Sequence, residues 1–122
     1  MIRRLILGLA VATALVSAGQ AQQKGPNGGT VVKADDHPVE FVQRGQEIVF
    51  FLADEDGKPM ATKGLQARAV IQDAGKTTTV NLAPADPNQF VGKLAAPLGA
   101  KARVVFSSRV HGHALQARFV AE

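Results

Sequence analysis

From Thr30 onward, apolar and β-branched residues come in short runs with a period of two, broken by polar and glycine-rich stretches. That is the pattern of strands with one buried face, because successive side chains of a strand point to opposite sides. Runs at 30–33 and 37–43 are separated by Ala34-Asp35-Asp36. The run at 47–53 (EIVFFLA) is nearly all apolar, which predicts a central strand covered on both faces. A sharp turn follows at 54–59 (DEDGKP), where acidic residues, glycine and proline cluster. Further runs lie at 65–72, 77–82, 90–94, 102–108 and 114–120, punctuated by Gly75-Lys76, by 84–88 and by 97–99. No stretch beyond Ala21 keeps a 3.6-residue apolar period. Seven or eight short strands at this spacing predict an all-β fold, an immunoglobulin-like antiparallel β-sandwich. Its predicted core holds Ile48, Phe50, Leu52, Val70, Leu82, Val104, Phe106 and Phe119.

The first 21 residues break this pattern. Two arginines, an apolar run from Leu5 to Val16 and the ending Gly19-Gln20-Ala21 have the order of a secretory signal peptide, cleaved after Ala21. Export to the periplasm is therefore expected. The apolar run is about a dozen residues, short of the ~20 that span a bilayer, so no membrane span is expected after cleavage. Residues 22–29 (QQKGPNGG) read as a flexible, turn-rich lead-in and 30–122 as the β-sandwich domain. About 100 residues remain, one domain able to bury a core without staples. The chain has no cysteine, which removes disulfides, a lipidated cysteine and thiolate ligands.

The formal charge of +4 includes Arg3 and Arg4; without them, twelve basic residues face ten acidic ones, spread along the chain. With no basic block, and no Tyr or Trp to stack on bases, nucleic-acid binding is disfavoured.

Few side chains carry catalytic chemistry. No nucleophile elbow, phosphate-cradling glycine loop or HExxH motif occurs. Ser108 and His111 could form part of a Ser–His–Asp triad, but such neighbours at a strand end are common by chance, and no enzymatic activity is expected. Asp54, Glu55 and Asp56 resemble part of a calcium loop that lacks its other ligand positions and its closing glutamate, so they read as a solvated turn.

His111 and His113 flank Gly112. On one strand, residues i and i+2 share a face about 6.5–7 Å apart. Two imidazoles at that spacing can converge on one ion at bond lengths of about 2 Å. Leu115, Ala117 and Phe119 read as the inward face of the last strand, so an unbroken strand puts both histidines on the core side at the open end of the sandwich. His37 shares parity with Val39 and Phe41 at the start of its own strand. A firm site needs a third ligand, drawn from His37, Asp35, Asp36, Glu40 and Met60, with His37 favoured. The other reading is a polar hairpin tip plus one separate surface histidine.

The segments GPNGG (25–29), HPVEFV (37–42), EIVFFLADEDGKPM (47–60) and NQFVGKL (88–94) resemble a group of small exported β-sandwich proteins associated with heavy-metal efflux. A similar order, a GG pair, an acidic residue in the next strand and a DGKP turn, occurs in the N-terminal part of periplasmic adaptor subunits of metal efflux systems. The likeness covers about two thirds of the chain beyond Ala21. It implies a periplasmic accessory protein of heavy-metal efflux or resistance, binding a divalent transition metal and working with a periplasmic component of an efflux system. Beyond Ala21 there is one methionine, Met60, and only three histidines, which suits Cu(II), Zn(II) or Ni(II) better than soft Cu(I). A strand followed by DxDGKP also resembles bacterial immunoglobulin-like and transthyretin-like modules. In those modules the motif is simply a strand-to-turn transition. The alternative reading of the chain is an immunoglobulin-like interaction module without metal, docking onto a periplasmic or envelope partner by an edge strand or loops.

Overall fold

The computed structural model describes residues 22–122. The expected signal peptide at 1–21 lies outside the described residues. These hold nine strands and no helix: β1 (Gln23–Lys24), β2 (Thr30–Ala34), β3 (His37–Arg44), β4 (Glu47–Leu52), β5 (Ala67–Asp73), β6 (Lys76–Ala85), β7 (Gln89–Lys93), β8 (Arg103–Val110) and β9 (His113–Val120). Every neighbouring pair is antiparallel, in the order β1-β2-β3-β4-β7-β6-β5-β8-β9. The all-β expectation holds, and each predicted run forms one of β2 to β9.

The hydrogen-bonded ladder is continuous. Residues 76–82 of β6 pair with β5, while Ala83, Pro84 and Ala85 pair with β7. One strand thus belongs to both halves, and the sheet curls into a half-barrel. The curl brings β9 beside β2 without a ladder between them. A hollow of about 610 Å³ remains at that seam, lined by Thr30, Gln43, Val120 and Glu122 among others.

Alternation decides what fills the interior. Ile48, Phe50 and Leu52 of β4 are fully buried, as are Val104 and Phe106 of β8 and Leu115, Ala117 and Phe119 of β9. Five phenylalanine rings tie the two halves together. Phe106 stacks on Phe50 at 4.8 Å and on Phe90 at 5.9 Å, and Phe41 meets Phe50 at 5.3 Å and Phe119 at 5.4 Å. Such tilted pairs add stabilisation beyond the area they bury.

One expected core residue is placed differently. Val70 is half-buried on the outer side of β5, while its neighbours Ala69 and Ile71 face inward. Two adjacent β-branched residues leave parity undecided in the sequence, and the pairing with β8 decides it.

Close approach of the halves needs Gly92 of β7. A Cβ there would lie 2.6 Å from Leu82 Cδ2 and 2.9 Å from Val80 Cγ1. Two-residue loops join β2 to β3, β3 to β4, β5 to β6 and β8 to β9. Asp35-Asp36, Ala74-Gly75 and His111-Gly112 all have positive φ at both positions. That is the type I′ geometry, whose twist matches the strands it connects.

Residues 53–66 make the longest connection. The Asp54 carboxylate accepts hydrogen bonds from the amides of Asp56 and Lys58, both at 2.9 Å, which hold the DEDGKP turn. Thr62 pins the connection by donating its hydroxyl proton to the Ala85 carbonyl at 3.2 Å.

Candidate functional site

Strand directions gather all three histidines at one end of the sheet. β3 starts at His37, paired with Ala34 at the end of β2, and β9 starts at His113, paired with Val110 at the end of β8. The ends of β4 and β6 and the start of β7 lie at the same end, since each neighbour is antiparallel. The β2–β3 and β8–β9 tips therefore project from one rim.

Their surroundings differ. His111 is the first residue of a type I′ turn, with φ 50°, so the strand does not continue back through it. Histidine tolerates that left-handed region better than most side chains. His111 and His113 thus straddle a turn, and both are exposed. His113 keeps the inward parity of Leu115 but stands beyond the buried part of the strand. His37 is half-buried, and its Nδ1 lies 3.3 Å from the Ala53 carbonyl. A proton on Nδ1 donated to that carbonyl leaves Nε2 as the free acceptor nitrogen.

The other proposed third ligands are accounted for individually. Asp35 and Asp36 are the exposed turn residues next to His37. Met60 packs against the core cluster. Among the described residues, no group of three or more His, Asp or Glu side chains converges as a metal-binding set. The fold brings the three histidines to one end without closing them on a point.

Glu40 has a different role. It is buried on β3, 4% exposed, and its carboxylate accepts three hydrogen bonds: from Asn27 N at 2.9 Å, Asn27 Nδ2 at 2.7 Å and Gly29 N at 2.9 Å. A buried carboxylate needs such donors, because losing water without replacement is costly. The segment 22–29, expected as a flexible lead-in, carries β1 and supplies all three donors. A Cβ on Gly25 would strike the Glu40 carboxylate, and one on Gly29 would strike the Phe41 carbonyl. GPNGG and the lone acid of HPVEFV are thus two sides of one latch. The sequence signal was an acid inside an apolar run, with a glycine-rich stretch one hairpin away.

Ser108 is buried, and its hydroxyl donates to the Gln66 carbonyl at 2.7 Å. It serves to anchor the end of the 53–66 connection. No family model matches the chain, and no curated protein or solved structure matches it.

Proposed function

We propose that this chain is an exported, periplasmic accessory protein of heavy-metal efflux or resistance that holds a divalent transition ion at the histidine-bearing rim. The observation that carries the reading is the arrival of His37, His111 and His113 at one end of the sheet. Imidazole donors next to the Asp35-Asp36 turn suit Cu(II), Zn(II) or Ni(II). The exposed His111–His113 tip supplies two nitrogens, with solvent or His37 completing the shell. An ion held this loosely can be passed to a periplasmic component of an efflux system. No catalytic step is assigned to the chain.

The test is calorimetric titration with Cu(II), Zn(II) and Ni(II), repeated on a His111→Ala/His113→Ala double variant and on His37→Ala. The double variant should bind at least about tenfold more weakly, a difference of about 1.4 kcal/mol. Equal binding by wild type and double variant removes the site.

A second reading is favoured by a specific observation. β9 forms one margin of the ladder, and Val120 on it is the large apolar side chain most exposed among the described residues, at 45%. In this reading the two halves of the curled sheet act as the layers of an immunoglobulin-like sandwich. The chain then docks onto a periplasmic or envelope partner through an edge or its hairpin tips, without metal.

A further inference from the structure

Register defines a second surface, on the outer side of four strands. Across β6, β5, β8 and β9, Asn81, Arg68, Ser107 and Gln116 stand side by side. Residues at alternate positions along each strand share their side. Arg68, Arg103, Arg109 and Arg118 all fall on this outer face, and all four are exposed. No Asp or Glu occupies an outward position on these four strands; the other positions hold small or uncharged polar residues and valines.

The register also sets the spacing. Arg68 is diagonal to Arg109, and Arg103 is diagonal to Arg118. Same-face diagonal neighbours sit about 7–8 Å apart. At the end of the face, an open hollow of about 320 Å³ is lined by Lys76, Lys101 and Arg103.

Most acidic residues are placed elsewhere, although Asp86 is exposed in the turn that follows β6. Asp35, Asp36, Glu47, Asp54, Glu55 and Asp56 belong to β4 and to the turns of the β2-β3-β4 half. Asp73 accepts a hydrogen bond from the Gly99 amide at 2.8 Å, and Glu122 lines the seam hollow. A chain of nearly balanced charge thereby presents one cationic side.

We infer that the outer face of β6-β5-β8-β9 docks peripherally on an anionic lipid surface. The guanidinium fork matches phosphate oxygens in a bidentate way that a lysine ammonium does not. The charges spread over two dimensions, and the nearby hollows lie at the margins of the face, which complements a plane rather than a single extended chain. The face carries no aromatic residue and no methionine, the usual anchors of a protein interface. It also lacks rings for base stacking and presents no helix to enter a duplex groove. Without an inserted apolar anchor, docking is electrostatic, reversible and sensitive to salt. None of this depends on the metal reading.

Vesicle co-sedimentation of the full chain tests it. The probes are phosphatidylcholine vesicles with and without about one third phosphatidylglycerol, in low salt and at about 0.15 M salt. Wild type should pellet more with the anionic vesicles than with the neutral ones, and salt should remove the excess. The R68Q/R103Q/R109Q/R118Q variant should bind at least about tenfold more weakly. A charge-matched control, R44Q/K58Q/K63Q/K93Q, should bind nearly as wild type. Residues 1–21 are common to all variants, so the comparison isolates the face. Far-UV spectra check folding; if the quadruple variant fails to fold, R68Q/R109Q and R103Q/R118Q replace it. Equal binding to neutral vesicles, equal loss in the control, or binding only to duplex DNA or polyglutamate overturns the proposal.

Discussion

Glu40 shows how one side chain can account for a distant motif. Its three donors all come from 27–29, so the acid holds the chain's entry against the sheet. Glu40→Gln keeps the shape but exchanges an acceptor for a donor facing those amides. Charge-assisted bonds contribute about 1.5–3 kcal/mol each. The variant should therefore lose about 1–3 kcal/mol in urea unfolding, with an unchanged m-value. His111 makes a second case at this scale. Its left-handed φ belongs to the turn, independently of any ligand role. His111→Asn should unfold within about 0.5 kcal/mol of wild type, whereas His111→Val should cost about 1–2 kcal/mol. Comparable losses for both would mean that the imidazole itself stabilises the tip.

At the level of elements, the contact between β6 and β7 decides how tightly the sheet curls. Gly92→Ala should destabilise the fold by about 1–3 kcal/mol through overpacking against Leu82 and Val80. Adding Leu82→Ala should make the pair's losses non-additive, since the smaller side chain admits the new methyl group. Phe106 lies between Phe50 and Phe90 and is fully buried, so Phe106→Ala should cost about 3–5 kcal/mol. Additive behaviour of the Gly92 and Leu82 variants would show that the halves do not meet there as described. The strand runs themselves were legible because alternation and turn residues are local signals. Val70 was misplaced because Val70-Ile71 offers two valid parities and only cross-strand pairing chooses between them.

For the whole molecule, a core built from five contacting phenylalanines stands without a metal. Binding at the rim should raise the melting temperature by mass action alone, worth about 2.7 kcal/mol at a free ion concentration one hundred times Kd. The shift should shrink in acid, since a protonated imidazole cannot ligate, and should vanish in the His111→Ala/His113→Ala variant. A metal-dependent shift that survives in that variant would place the ion elsewhere. The charge separation belongs to this scale too. The four arginines are scattered from 68 to 118 in the chain, and antiparallel pairing alone collects them on one face.

The all-β class, the positions of eight strands, much of the core and the sites of the turns were readable along the chain. Each of these depends on residues within a few positions of one another, where period and turn chemistry act. The strand order, the passage of β6 between two halves, the engagement of 27–29 by Glu40 and the common end of the three histidines came from the folded arrangement. It also decided that His111 turns the chain rather than extending the strand. These features rest on pairing between distant segments. Many registers satisfy the same local pattern, and packing of the whole core selects one of them.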